Sequence, residues 1–128
     1  MRVVLDTNVF LWILSGDEKL SAAAREVFLD DDTSPLVSAA SIWEIMIKAS
    51  LRKLSLPRAP GQFIKDQLQL NSCTLLDITV DHCAAVASLP FHHKDPFDRL
   101  IIAQSLAERL PVLSADRTWR KYGVKNLF

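Results

Sequence analysis

Two cysteines are too few for a disulfide framework, and Cys73 and Cys83 stand at no zinc or redox spacing. Each lies among apolar residues, so both read as buried structural thiols, and the chain reads as cytoplasmic. No apolar run approaches the roughly 20 residues that a membrane span needs. Asp6 breaks the first apolar stretch too early for a signal peptide. With 15 basic and 15 acidic residues the net charge is zero, so no global basic field points to nucleic acid. Only 3 Gly and 6 Pro accompany 49% hydrophobic residues, which sets disorder aside.

What remains is an ordered chain of 128 residues, enough for one domain with a three-layer core and too short for two. Apolar strand-like runs at 2–5, 35–38, 74–76 and 112–114 alternate with helical patterns at 8–14, 21–29, 41–51, 61–70, 80–89 and 96–109. Ser21, Asp95 and either Thr79 or Asp81 read as helix N-caps, and Pro96 occupies a first helical position. Residues 123–127 are expected to add a last short strand, and 91–94 a loop. Alternation of this kind predicts an α/β fold, with a mostly parallel sheet covered on both faces.

Charge is unevenly spread. Lys48, Arg52, Lys53 and Arg58 form one basic run, and Arg117, Arg120, Lys121 and Lys125 another. Glu26 and Asp30-Asp31-Asp32 gather the opposite sign. Each run reads first as a solvated face; a phosphate-facing role requires that a basic run flank an acidic pocket.

Four other acids stand where hydrophobic elements begin or end: Asp6, Glu44, Asp98 and Asp116. Each has a local explanation. Asp98 could serve the helix N-terminus behind Asp95, Asp116 could cap the turn that follows it, and Glu44 could pair with Lys48 one turn on. Asp6 is hardest to explain that way, because it ends a buried strand where folding needs no charge. In an open parallel sheet, ligands bind beyond the carboxyl ends of the strands, which is where Asp6 and Asp116 fall. Carboxylates crowded there repel unless protonated or neutralised by a cation. A hard divalent ion with oxygen ligands, Mg²⁺ above all, suits them, and no Cys/His set suggests zinc.

The segments Val3-Val4-Leu5-Asp6-Thr7-Asn8, Ser41-Ile42-Trp43-Glu44-Ile45, the stretch from His93 through Asp95-Pro96-Phe97-Asp98 to Gln104, and Leu113-Ser114-Ala115-Asp116 together resemble the PIN-domain nucleases. Within them, the chain looks like a VapC-type toxin of a bacterial toxin–antitoxin pair. The resemblance runs from near the first residue to near the last. It implies an α/β/α sandwich and a Mg²⁺- or Mn²⁺-dependent endoribonuclease that hydrolyses RNA with a metal-activated water. The family's acidic site maps onto Asp6, Glu44, Asp98 and Asp116, with Asp6 and Asp98 closest to the ion. Glu44 and Asp116 would act through water, a second ion or the nucleophile. Thr7, Asn8 and Ser114 match supporting polar positions, and Asp95 a neighbour whose main work is the cap. The resemblance further implies a cognate antitoxin and homodimerisation. Trp12, Trp43 and Trp119 could supply surface for such partners, but the sequence itself favours core positions for most of them.

Three rivals are weighed against this. A phosphatase of the haloacid-dehalogenase type wants a second Asp two residues after the first, where this chain has Asn8. A metal-free ribonuclease would use His92 and His93 as acid and base and leave a 2′,3′-cyclic phosphate. A non-catalytic PIN-like module that binds RNA or a partner would have little use for four repelling acids.

Overall fold

The computed structural model describes residues 1–57 and 59–128; Arg58, of the first basic run, lies outside the described residues. Four strands form one parallel sheet in the order β3-β2-β1-β4, namely β1 (Arg2–Leu5), β2 (Ser34–Ser38), β3 (Thr74–Leu76) and β4 (Val112–Leu113). The register places Val4 beside Leu36 and Leu5 beside both Val37 and Leu113. Strand residues alternate between two cores, as the two-residue period of a pleat requires. Val4 joins Leu36, Leu76, Ile101, Ile102 and Val112 on one face. Val3 and Leu5 join Val9, Phe10, Ile45 and Ile64 on the other.

Helices α1 (Thr7–Ser15), α2 (Ala22–Leu29) and α4 (Pro60–Leu70) contribute to the second core. Helices α5 (Val80–Val86) and α6 (Pro96–Glu108) cover the first. Helix α3 (Ala39–Ser50) serves both, with Ala40 in one core and Ile45 in the other. The result is the expected three-layer α/β/α sandwich. Helix α6 is buried on most sides, from Arg99 through Ile101, Ile102 and Gln104 to Ser105. Its two wholly buried isoleucines are each expected to cost about 2–5 kcal/mol on truncation to alanine.

Local signals set the ends. Ser21 accepts the Ala24 N–H, and Asp95 accepts the N–H groups of Phe97 and Asp98. Thr79 rather than Asp81 caps α5, in a reciprocal box with the His82 ring. That helix stops at Val86, short of the expected residue 89. Residues 123–127 add a single parallel bridge from Asn126 to Val112 and no full strand. Gly16 closes α1 at φ 67°, a left-handed conformation that costs glycine least.

One sequence expectation is overturned, the burial of both cysteines, while the tryptophans divide as expected, most of them inward. Cys83 is exposed, because the short α5 turns that side to solvent; Cys73 is partly buried, and burial pushes its thiol up to about 11. Trp43 is 61% exposed, whereas Trp119 is fully buried. Helix α3 spends its inward stripe on Ala40, Ser41, Glu44 and Ile45, and so turns Trp43 outward, where it meets Phe97 edge-on. Among the described residues no helix is long and apolar enough to cross a membrane.

Candidate acidic site

From β1 the chain steps to β2 and β3 on one side, then returns through α6 to place β4 on the other. The direction of winding therefore reverses between β1 and β4, and the crevice at that point is where such sheets bind ligands. Asp6 follows β1 directly and Ser114 follows β4. Their strand ends are laced together by the Asp6 N–H donating to the Leu113 carbonyl at 3.0 Å.

Hydrogen bonds fix this wall of the crevice. The Ser114 hydroxyl donates to Asp6 Oδ2 at 2.7 Å and accepts the Asp116 N–H at 3.1 Å. Asn126 holds Ser114 from both sides, accepting its N–H at 3.1 Å and donating to its carbonyl at 2.7 Å. Asp116 Oδ1 caps the short 3-10 helix Arg117–Tyr122 through the Thr118 N–H, which leaves its other oxygen uncommitted to that cap. The Thr7 hydroxyl donates to Ser41 Oγ at 2.8 Å and ties the start of α1 to α3. Asn8 is exposed and bears on Asp6 through its backbone N–H.

Glu44 reaches inward from the second turn of α3 and is 7% exposed. The expected pair with Lys48 exists, Nζ to Oε2 at 3.0 Å. Its other oxygen, Oε1, is buried and has no hydrogen-bond partner among the described residues. Asp98 is released from capping because Asp95 already does that work. Its carboxylate comes within 4.8 Å of a ligand atom on each of Asp116 and His93.

The acids feel one another. Asp6 is pushed up to about 6, first by burial, with Glu44 and Asp116 adding repulsion; the Ser114 hydroxyl and Asn8 N–H pull the other way. Asp98 is pushed up to about 8, first by burial, then by the charges of Asp6 and Asp95, with Glu44 a smaller contributor. The Trp119 indole opposes that rise, although its N–H makes no hydrogen bond among the described residues. Without a cation, burial and the neighbouring charges favour the protonated form of Asp98. An orphaned carboxylate oxygen among three further acids from three other elements fits a hard divalent cation with oxygen ligands.

All four acids expected from the sequence thus converge, with Ser114 and Thr7 bonded beside them. Asn8 and Asp95 stand at the edge. One participant went unread and another was read only for a rival mechanism. Asn126 lies in a segment expected only to be a strand, and its amide fixes Ser114. His93 was read as a loop residue, at most an acid or base of the metal-free rival, yet its position just ahead of the Asp95 cap brings its ring to Asp98. Arg117 and Arg120, two of the second basic run, line a cleft of about 290 Å³ with Asn126 and with Ser114, whose hydroxyl bonds Asp6. Of the first run, Lys48 contacts Glu44.

Fold and acids together define an α/β protein with carboxylates gathered at its switch point. The PIN domain family profile matches residues 3–125, and the chain belongs to that family. No curated protein sequence matches it significantly. Among solved structures it resembles a chain of VapBC2 from Rickettsia felis bound to a promoter DNA fragment, at 13% identity and TM-score 0.73. That match covers 100% of this chain and 98% of the other. VapBC-1 from nontypeable Haemophilus influenzae matches at 16% and 0.66, over 98% and 96%. A toxin–antitoxin complex from Klebsiella pneumoniae matches at 18% and 0.60, over 89% and 86%. At such identities the likeness is one of fold.

Proposed function

We propose that this protein is a divalent-metal-dependent endoribonuclease, the VapC-type toxin of a toxin–antitoxin pair. The observation that carries the reading is the crowding of buried Asp6 and Glu44 with half-buried Asp98 and Asp116 from four elements, Glu44 Oε1 being without a hydrogen-bond partner among the described residues. A binding module gains nothing from such repulsion; a site for a cation needs it. Asp6 and Asp98 would hold Mg²⁺ or Mn²⁺ most directly, with Glu44 and Asp116 completing the charge. When bound, the ion lowers the pKa of water and offsets the charge gathering on the phosphodiester.

The chain's own groups supply the rest. Ser114 occupies one oxygen of Asp6 and leaves the other for the ion. Thr7 and Ser41 hold the start of α1 against the helix that carries Glu44. Arg117 and Arg120, exposed beside the acids, can meet neighbouring phosphates of a bound strand. In the reaction the oxygen of water bonds to phosphorus and the bond to the 3′ oxygen breaks. A proton passes to that oxygen, leaving a 5′-phosphate and a 3′-hydroxyl.

A cognate antitoxin fits the same reading, since the similar structure from Klebsiella pneumoniae is a toxin–antitoxin complex and the two others carry the VapBC name. An apolar cleft of about 390 Å³, lined by Leu11, Trp12, Leu54, Leu56 and Phe63 with Asn8 on its border, could seat an apolar segment of such a partner. Homodimerisation and a cytoplasmic site of action belong to the same proposal. The test incubates the purified protein with RNA and Mg²⁺, with and without chelator. Wild type should yield 5′-phosphate ends, while Asp6→Asn and Asp98→Asn should fold and not cut. Full cleavage by either variant, or cyclic phosphate ends that persist in chelator, would overturn the mechanism. Absence of metal-dependent heat in wild type would favour the non-catalytic module.

A further inference from the structure

His93 lies among the acids, and a hydrogen-bond count at Tyr122 decides what it can do there. The Tyr122 oxygen accepts three donors: the backbone N–H groups of His92 at 3.2 Å and His93 at 3.1 Å, and Arg99 Nη1 at 3.3 Å. A phenol oxygen has two lone pairs at most, so these three donors already share more than its capacity and a further N–H from the His93 ring has nowhere to go. The hydroxyl hydrogen must therefore leave as a donor. Its nearest acceptor is the His93 ring at Nδ1, 2.7 Å away; the His93 carbonyl is at 3.5 Å. Nδ1 thus accepts, and in the neutral ring the hydrogen sits on Nε2.

Nε2 is buried and has no hydrogen-bond partner among the described residues. It stands 3.5 Å from Asp98 Oδ2, close but out of line for a hydrogen bond. Shielded from solvent, it has this carboxylate as the acceptor within reach, and a small rotation of Asp98 closes the bond. The spacing of His93, Asp98 and Asp116 invites a different reading, in which Nε2 ligates the ion. A nitrogen that carries hydrogen has no lone pair to give. Arg99 supports the same arrangement: it is buried, donates to the carbonyls of Pro90 and Leu89 as well as to Tyr122, and lies over the Phe91 ring.

We propose that Tyr122 and His93 form a positioning relay for Asp98: Tyr122 fixes the ring, Nε2–H holds Oδ2, and the other carboxylate oxygen is presented to the cation. This rests on the metal-dependent reading of the site, and the measurements separate the two. Nitrogen-15 spectra of the wild-type imidazoles should show His93 as the Nε2–H tautomer, both metal-free and in Mg²⁺. With ¹¹³Cd²⁺ they should show no coupling between metal and ring. In calorimetry, His93→Ala should weaken Mg²⁺ binding by about 10–100-fold, as outer partners of metal ligands do. His93→Gln, which keeps a donor, should recover most of that loss, and Tyr122→Phe should allow the tautomers to mix. An Nδ1–H tautomer, a metal–nitrogen coupling, or His93→Ala affinity equal to wild type would each overturn the relay. Absence of Mg²⁺ heat in wild type would sink the metal-dependent function instead, while the tautomer assignment remained readable on its own.

Discussion

The chain carries two dense groups of acids, and they behave as opposites. Asp30, Asp31 and Asp32 are exposed beside the start of β2, and their backbone closes a turn in which Asp30 Oδ1 accepts the Asp32 N–H at 2.8 Å. Asp6, Glu44, Asp98 and Asp116 meet at the other end of the sheet, where burial and mutual repulsion lift Asp6 to about 6 and Asp98 to about 8. Residue type is nearly the same; the difference is water. Exposed charges a few ångströms apart are screened, whereas the same spacing without solvent stores repulsion that a cation can relieve.

Neutralising one acid in each group breaks the comparison hardest. Asp98→Asn and Asp6→Asn should lower RNA cleavage by more than about 100-fold, beyond what loss of an outer partner does. Asp31→Asn should leave it within twofold (an estimate from its solvated setting). Initial rates in saturating Mg²⁺ measure this. Equal losses at Asp31 and Asp98 would mean that the buried group has no special role.

Stability should move the other way. In the folded protein Asp6 and Asp98 keep their protons to about 6 and about 8, whereas an unfolded aspartate releases its own near 3.8. Between those limits the folded state binds more protons, so metal-free stability is greatest below about pH 4 on this account and declines as pH rises towards 8. Asp98→Asn should remove the part of that decline lying between about 6 and 8 and raise the metal-free melting temperature at pH 8. Metal binding must expel the same protons, so Mg²⁺ affinity should increase over that window. Melting curves from pH 5 to 8, and calorimetry in buffers of different ionisation enthalpy, measure both effects. A metal-free protein that gains stability from pH 6 to 8 would contradict the assigned shifts.

That contrast also explains how much of the site was legible. Asp6 stood out because Val3, Val4 and Leu5 left it no local purpose, and Glu44, Asp98 and Asp116 joined it through strand and helix ends that the sequence marks. The sheet could be read because Val3, Val4 and Leu5 are apolar on both faces. Which tryptophan stays outside could not, because the exposure of Trp43 depends on which stripe of α3 turns inward, and Ser41 and Glu44 took part of that stripe. Cys83 failed for a similar reason, since the side of α5 that turns inward carries His82 and not its neighbour. Asn126 and His93 act through tertiary partners, Ser114 and Tyr122, that no spacing announces.

The smallest expected effect concerns Lys48. It is half-exposed and pairs with one oxygen of Glu44, while the other oxygen is buried and has no hydrogen-bond partner among the described residues. If the pair existed for helix stability alone, Lys48→Ala would cost about 0.2–0.5 kcal/mol, the usual worth of such a contact, and nothing more. If Glu44 serves the cation, loss of the lysine also leaves its charge less balanced, so Mg²⁺ binding should tighten slightly, by about twofold at the pair energies just given. Glu44→Gln should instead weaken it. Calorimetric affinities that fall in both variants would place Lys48 among the groups supporting the ion. Opposite signs would show that the lysine competes with the ion for a carboxylate that the exposed Asp30–Asp32 group has no means to imitate.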